Sequence, residues 1–181
     1  FLLAPAASVL LSTSNLKVAL TGSIATGKSQ VGSLLEADGN PVVDVDVHAR
    51  DVVEARTEGL SEVVAAVSDD ILNEVGTLNR THLRDKLYKK GRNRWLIEKI
   101  LHPKILEKMQ KAMEEHENGV IIVVVPLLVE KSLWQPFDRA IVVDTSIENQ
   151  LNRLKNRANI DQSKSEAMLL AQTSREQRLK L

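Results

Sequence analysis

The chain contains no cysteine among its 181 residues, which excludes disulfides and any thiolate-held metal centre. A cysteine-free chain suits a reducing compartment, and a cytoplasmic location is the expectation. Aromatic residues are also scarce, at two Trp, one Tyr and two Phe, so a core must be built from Val, Leu, Ile and Ala. Charge of either sign is not in excess: 24 basic and 24 acidic residues cancel. The basic surplus of a bulk nucleic-acid binder is therefore missing, and no nucleic-acid partner is expected. Long apolar runs are missing too. Phe1 to Leu11 is the nearest approach, but it is too short to span a bilayer and lacks the basic lead of a secretory signal. No membrane partner is expected, and residues 1–15 read as an extension or processing remnant of no assigned role. What remains is ordinary for a compact globular domain, with 43% hydrophobic and 27% charged residues.

Against this background one stretch stands out. Gly22-Ser23-Ile24-Ala25-Thr26-Gly27-Lys28-Ser29 fits the phosphate-binding loop G-x-x-x-x-G-K-[ST] at every fixed position. The apolar segment Leu16–Thr21 precedes it, and Val31, Leu34 and Leu35 follow at helical spacing. Strand, glycine-bounded loop and helix form the context the motif needs. Backbone N–H groups of such a loop make a nest for anionic oxygens at the positive end of a helix. Lys28 is placed to reach the terminal phosphates, and the Ser29 hydroxyl to ligate Mg²⁺. The cofactors implied are ATP and Mg²⁺.

Three further apolar runs read as strands of a parallel sheet buried on both faces: Val42–Val45, Val120–Val125 and Ala140–Val143. Residues 81–90 and 93–115 carry Leu83, Leu87, Trp95, Leu96, Ile100, Ile105 and Met109 at helical spacing. Asp144-Thr145-Ser146 offers N-cap chemistry to a helix holding Leu151 and Leu154. His102-Pro103 is expected to interrupt its helix. Strands alternating with helices predict an α/β fold with right-handed crossovers. The long interval between Val45 and Val120 reads as a helical insertion suited to a second substrate, and the charged helical end from Arg153 as a place for a lid.

In such a sheet ligands bind beyond the carboxyl ends of the strands. Asp44 and Asp46 follow Val42-Val43, and on an extended strand residues two apart face the same side. One could cap the neighbouring helix or hold metal-bound water while the other takes a proton from a hydroxyl; the alternative is two solvated strand-end aspartates. His48 reads as an ordinary helix residue. No acid lies directly on Val120–Val125, and no Asn-Lys-x-Asp run is present. A motor ATPase or GTPase is disfavoured by these gaps, and a small-molecule kinase fits better. Arg153 with Arg157, and Arg175 with Arg178, share helix faces. They suit phosphate oxygens, with solvated helix arginines as the alternative.

Taken in order, the motifs resemble the dephospho-coenzyme A kinase family. They are Leu20–Ser29, Val43-Asp44-Val45-Asp46 with Ala49-Arg50, Gly76–Arg80, Leu101-His102-Pro103, Val125-Pro126-Leu127-Leu128-Val129-Glu130, Val142-Val143-Asp144 with Gln150 and Arg153, and Ala171-Gln172 with Arg175 and Arg178. The resemblance implies a three-layer P-loop kinase fold and ATP-dependent phosphorylation of the ribose 3′-hydroxyl of dephospho-coenzyme A, the partner being that small molecule. It implies the full division of the chain: a core at 16–50 and 118–150, a helical acceptor-binding region at about 51–117, a lid at about 151–168 and a nucleotide-side segment at 169–181. It implies Asp46 as catalytic base, with Lys28 and Arg153 also catalytic. It puts Gly22 to Ser29, Gln30, Arg157, Arg175 and Arg178 on the nucleotide, and Asp44, Arg50, His102, Leu127 and Glu130 on the acceptor. Gln30 stands where the family usually has a hydroxyl residue, and Ala158 where it commonly has an aspartate. The resemblance also implies a further strand and helix after Leu181. Alternatives are a kinase for another nucleoside or small hydroxyl acceptor, or a catalytically impaired nucleotide-binding switch. The sequence assigns no oligomeric state.

Overall fold

The computed structural model describes residues 15–89, 91–116, 119–158 and 161–180. Most of the amino-terminal extension therefore lies outside the described residues. Four strands, β1 (Leu16–Thr21), β2 (Val42–Asp44), β3 (Val120–Val124) and β4 (Arg139–Val142), form one sheet in the order β2-β3-β1-β4. All pairings are parallel, with Leu16 opposite Val120, Val42 opposite Ile122 and Val18 opposite Arg139. The expected strands are all present, with ends moved by a residue or so, but β4 is an edge strand whose Arg139, Ala140 and Ile141 are exposed, not a strand buried on both faces. Hydrogen bonding continues past two of those ends, since the Val125 N–H donates to the Leu20 carbonyl and the Val143 N–H to that of Thr21.

Side chains alternate across the strands, so the sheet feeds two cores. On one face Val18, Leu20, Ile122 and Val124 pack with Val31 and Leu35 of α1 (Lys28–Ala37). On the other, Ala19, Val43, Ile121, Val123 and Val125 pack with Met109 and Met113 of α5 (Gly91–Glu114). Helices thus cover both faces of a parallel sheet, as the near-continuous apolar strands require.

The interval between β2 and β3 holds α2 (Val45–Asp51), α3 (Glu58–Val67), a short 3₁₀ turn (Asp69–Ile71), α4 (Arg80–Lys89) and α5. These build a third core around Val63, Ile71 and Ile97, with Leu83, Leu87, Ile100 and Leu101 packed on it. One helix therefore serves two cores. The first half of α5 belongs to the helical region, while its Leu106, Met109 and Met113 lie on the sheet.

Two sequence expectations are corrected here. His102-Pro103 does not end a helix, because α5 runs through with Pro103 inside it. Proline removes one backbone donor, but packing on both sides of that point holds the helix together. Trp95, expected on the apolar side of α5, is 59% exposed and lies under the Lys99 ammonium, 5.1 Å from the ring centre. After β4 come α6 (Ile147–Ala158), α7 (Gln162–Leu170) and the four-residue α8 (Arg175–Arg178). The Ser146 hydroxyl caps α6 by accepting from the Asn149 N–H at 3.2 Å, as its position before the helix suggests.

Candidate active site

The loop between β1 and α1 is shaped by its glycines. Gly22 has φ of 153° and Gly27 of 106°, and Ala25 also takes a positive φ of 58°. A side chain at Gly22 would have its Cβ only 2.3 Å from the Val143 carbonyl oxygen, so glycine is required there for close approach. Lys28 folds over the loop, its Nζ donating to the Gly22 carbonyl at 2.7 Å and to that of Ser23 at 2.8 Å. The Thr26 hydroxyl donates to the Ser23 carbonyl at 2.9 Å. Ala25 to Val31, with Arg153 and Asn156, line an open cavity of about 630 Å³. Gln30 is part of that lining.

A second cavity of about 410 Å³ adjoins it through Ser29 and extends past Ser33 to Asp44, Val47 and His48. The ends of β1 and β2 stand two strand spacings apart, about 10 Å across the sheet, because β3 runs between them.

The two aspartates do not lie side by side on a strand. β2 ends at Asp44, which caps α2: its Oδ1 accepts from the Asp46 N–H at 2.8 Å. An aspartate at a strand end satisfies the orphan donors of a following helix. Asp46 consequently sits in the first turn of α2. Its side chain reaches solvent, yet the surrounding chain removes part of its hydration and raises its pKa. The charge of Asp44 raises it further, while Arg50 and Lys28 act in the opposite direction. The carboxylate of Asp46 therefore shares an electrostatic neighbourhood with the loop lysine. His48, on α2, turns both ring nitrogens into positions without hydrogen-bond partners, although its Nδ1 lies 3.5 Å from Asp51.

Among the arginines, Arg153 does not stand over the site as a free cation. Its Nη1 donates to the Ala25 carbonyl at 3.1 Å and to that of Thr26 at 2.8 Å. The side chain of Arg157 lies outside the described residues. Arg175 forks onto Asp144, with Nε and Nη2 at 2.8 and 2.6 Å from Oδ2, and it holds that carboxyl below the usual range. Arg178 is only 5% exposed. Its Nη2 donates to the Thr173 carbonyl at 2.5 Å and lies 3.5 Å from Glu130 Oε1.

Glu130 also accepts from the Thr173 N–H at 3.1 Å. Burial works against its ionisation. Hydrogen bonds from its own N–H and from Thr173, with the charge of Arg178, more than offset that and lower its pKa. His102 lies elsewhere, lining a mostly apolar cavity of about 560 Å³ with Trp95, Lys99, Pro103 and Lys131. Leu127 is exposed beyond the end of β3, and Arg50 is exposed on α2.

Two residues outside the expected set touch the loop. The Gln150 side-chain amide donates to the Ile24 carbonyl at 2.6 Å. Gln172 Oε1 accepts from the Ser23 hydroxyl at 2.6 Å and from the Ile24 N–H at 2.8 Å. Both glutamines belong to the motifs that carry the family resemblance, but their spacing from the loop gave neither a role.

A family profile for dephospho-CoA kinase matches residues 16–181. A dephospho-CoA kinase of Vibrio cholerae is 40% identical over 90% of this chain and 81% of its own length. One from Thermobifida fusca is 39% identical over 90% and 82% respectively. Among solved structures, TT1252 from Thermus thermophilus superposes with a TM-score of 0.81 at 24% identity, over 92% of this chain and 85% of its own. A dephospho-CoA kinase from Campylobacter jejuni gives 0.65 at 23% identity, over 92% and 84%. These two likenesses show the same fold, while the profile and the curated relatives show the family: the chain belongs to the dephospho-CoA kinases.

Proposed function

We propose that the protein transfers the γ-phosphoryl group of ATP to the ribose 3′-hydroxyl of dephospho-CoA, giving CoA and ADP, and that it does so in the cytoplasm. Beyond family membership, the observation that carries the mechanism is that two cavities meet at Ser29, one lined by the loop with Lys28 and the other reaching Asp44. It ties the donor loop to a carboxylate at the end of β2. The nest of Gly22 to Ser29, backed by the α1 amino terminus, binds the triphosphate. Lys28 moves from the loop carbonyls onto the terminal phosphates, exchanging neutral acceptors for charged ones. Arg153 keeps the Ala25 and Thr26 carbonyls turned back, and lies beside the cavity that takes the nucleotide. Arg175 and Arg178 belong to the segment that flanks this nucleotide side.

Asp46 accepts the proton of the acceptor hydroxyl as its oxygen attacks the γ-phosphorus. The bond to the ADP oxygen breaks in line. A carboxylate with a raised pKa is the stronger base for this step. The acceptor is assigned to the side of Asp44 and Arg50; the family resemblance gives it Leu127 and His102 as well, although His102 lines a separate cavity. The donor set suits Mg²⁺: a serine hydroxyl and a carboxylate oxygen, Ser29 and Asp44, line one cavity, and this ion takes few protein oxygens. When bound it would neutralise charge developing on the phosphates.

Asp46→Asn is expected to lower kcat by about 10²- to 10⁴-fold, the usual worth of a general base, while ATP affinity stays within about threefold of wild type, a change under 1 kcal/mol. Lys28→Ala is expected to lose both. An ADP-release assay with and without dephospho-CoA, set against adenosine, nucleoside monophosphates and sugars, checks the substrate. ADP release that does not depend on dephospho-CoA, or equal loss of nucleotide affinity in both variants, would refute the assignment.

A further inference from the structure

The phosphate loop presents one side to the nucleotide, and the chain must fix the other. Ser23 and Thr26 are buried, so the back of the loop is enclosed in protein. There the Ile24 peptide is gripped at both ends. Its N–H donates to Gln172 Oε1 at 2.8 Å, and its carbonyl accepts from Gln150 at 2.6 Å. The same Gln172 oxygen accepts from the Ser23 hydroxyl at 2.6 Å. A neutral amide is well matched to this place. It satisfies two part-buried donors without adding negative charge behind a site for polyanions.

Gln172 is itself pinned through its neighbour. The Thr173 N–H donates to Glu130 Oε1, and the Thr173 carbonyl accepts from the buried Arg178. Glu130 follows β3, so its carboxylate reaches the donor loop through 173 and 172. Among the described residues its Oε2 has no hydrogen-bond partner.

We infer that Gln172 is a positioning residue for the nucleotide loop and that Glu130 acts on the donor side through it, as the anchor of a strap formed by residues 172–178. The inference rests on the reading of Gly22 to Ser29 as the ATP site. Gln172→Met keeps the side chain's length and removes its acceptor oxygen. The expected result is a rise of about tenfold in the dissociation constant of a non-hydrolysable MgATP analogue, the size of one to two lost hydrogen bonds. The KM for ATP rises with it, while kcat and the KM for dephospho-CoA stay within about twofold, since the lost contact serves ground-state nucleotide binding.

Glu130→Gln raises the same nucleotide constants by a smaller factor, and the double variant falls short of the product of the two, the mark of residues acting as one unit. Ser23→Ala, a milder change that removes one of the two bonds, gives about a threefold rise and covers the case in which Gln172→Met fails to fold. Unchanged nucleotide affinity in Gln172→Met, or in Ser23→Ala if that variant alone folds, overturns the inference. So does a Glu130→Gln effect confined to the KM for dephospho-CoA. The nucleotide titration needs no acceptor. A wild type that releases ADP without regard to dephospho-CoA would sink the substrate reading and leave the Gln172 result standing.

Discussion

Gly22→Ala tests whether the nucleotide loop is held against the sheet as tightly as the geometry requires. The new Cβ would lie 2.3 Å from the Val143 carbonyl oxygen, 2.9 Å from the Thr26 hydroxyl and 3.3 Å from the Val143 carbonyl carbon. A carbon and an oxygen sit comfortably at about 3.3 Å, so roughly 1 Å must be found. The Thr26 hydroxyl can rotate away, but the carbonyl cannot. Val143 is tied to β1 by its own N–H on the Thr21 carbonyl at 2.8 Å. Relief therefore comes from displacing the loop or peeling the end of β4 from β1.

Overpacking of this kind costs about 1–3 kcal/mol and a strained ladder bond about 1 more, giving about 2–4 kcal/mol in all. For a chain of this length that lowers the melting temperature by about 5–15 °C. If the loop gives way, a shift of about 1 Å at the phosphates lowers kcat/KM for ATP by about 10²-fold. Thermal unfolding followed by circular dichroism, together with the ADP-release assay, measures both. A variant that melts within 1 °C of wild type (a change of about 0.3 kcal/mol) and keeps its ATP affinity would refute the reasoning, because the contact would then be slack.

Two further perturbations separate packing from chemistry. Gly32→Ala has the opposite sign from Gly22→Ala: its Cβ would meet Val124, Leu20 and Val42 methyl groups at 3.5, 3.8 and 3.9 Å, ordinary contact distances. Helix propensity then favours alanine in α1 by about 1 kcal/mol, and the urea midpoint rises with activity retained; a lower midpoint would mean that α1 lies closer to the sheet. Asp44→Asn keeps a capping oxygen for the Asp46 N–H but removes a negative charge that raises the Asp46 pKa. Without that repulsion the ionised form is easier to reach, so the acid limb of kcat/KM against pH moves to lower pH. A limb that stays put or moves upward would show that the titrating base is not Asp46.

Much of the site was written in local pattern. Gly22, Gly27, Lys28 and Ser29 declare themselves because a loop that cradles anions needs fixed residue types at fixed spacing, flanked by a strand and a helix. The central strands β1 and β3 were legible because burial on both faces forces near-continuous apolar runs. Reading Asp46 as a strand residue failed for an equally local reason. The Asp44 side chain could satisfy the next backbone donor, and that begins a helix one residue after β2.

Proline at 103 was weighed by its intrinsic cost, and the packing of α5 on two cores overrode it. Arginine pairs could be assigned a face but not a partner. Arg153 turned to loop carbonyls, Arg175 to Asp144 and Arg178 to the Glu130–Thr173 contact.

Residue type and spacing by themselves determined that this chain folds as an α/β domain with a phosphate-binding loop at the end of its first strand, since these follow from periodicity and steric rules acting over a few residues. Tertiary structure alone decided the strand order that sets β3 between the loop and the carboxylates. It alone brought Gln150 and Gln172 to Ile24, across 126 and 148 residues of chain. A hydrogen bond needs its two atoms within about 3 Å in space, and nothing in the order of residues along the chain records which distant groups will meet that condition.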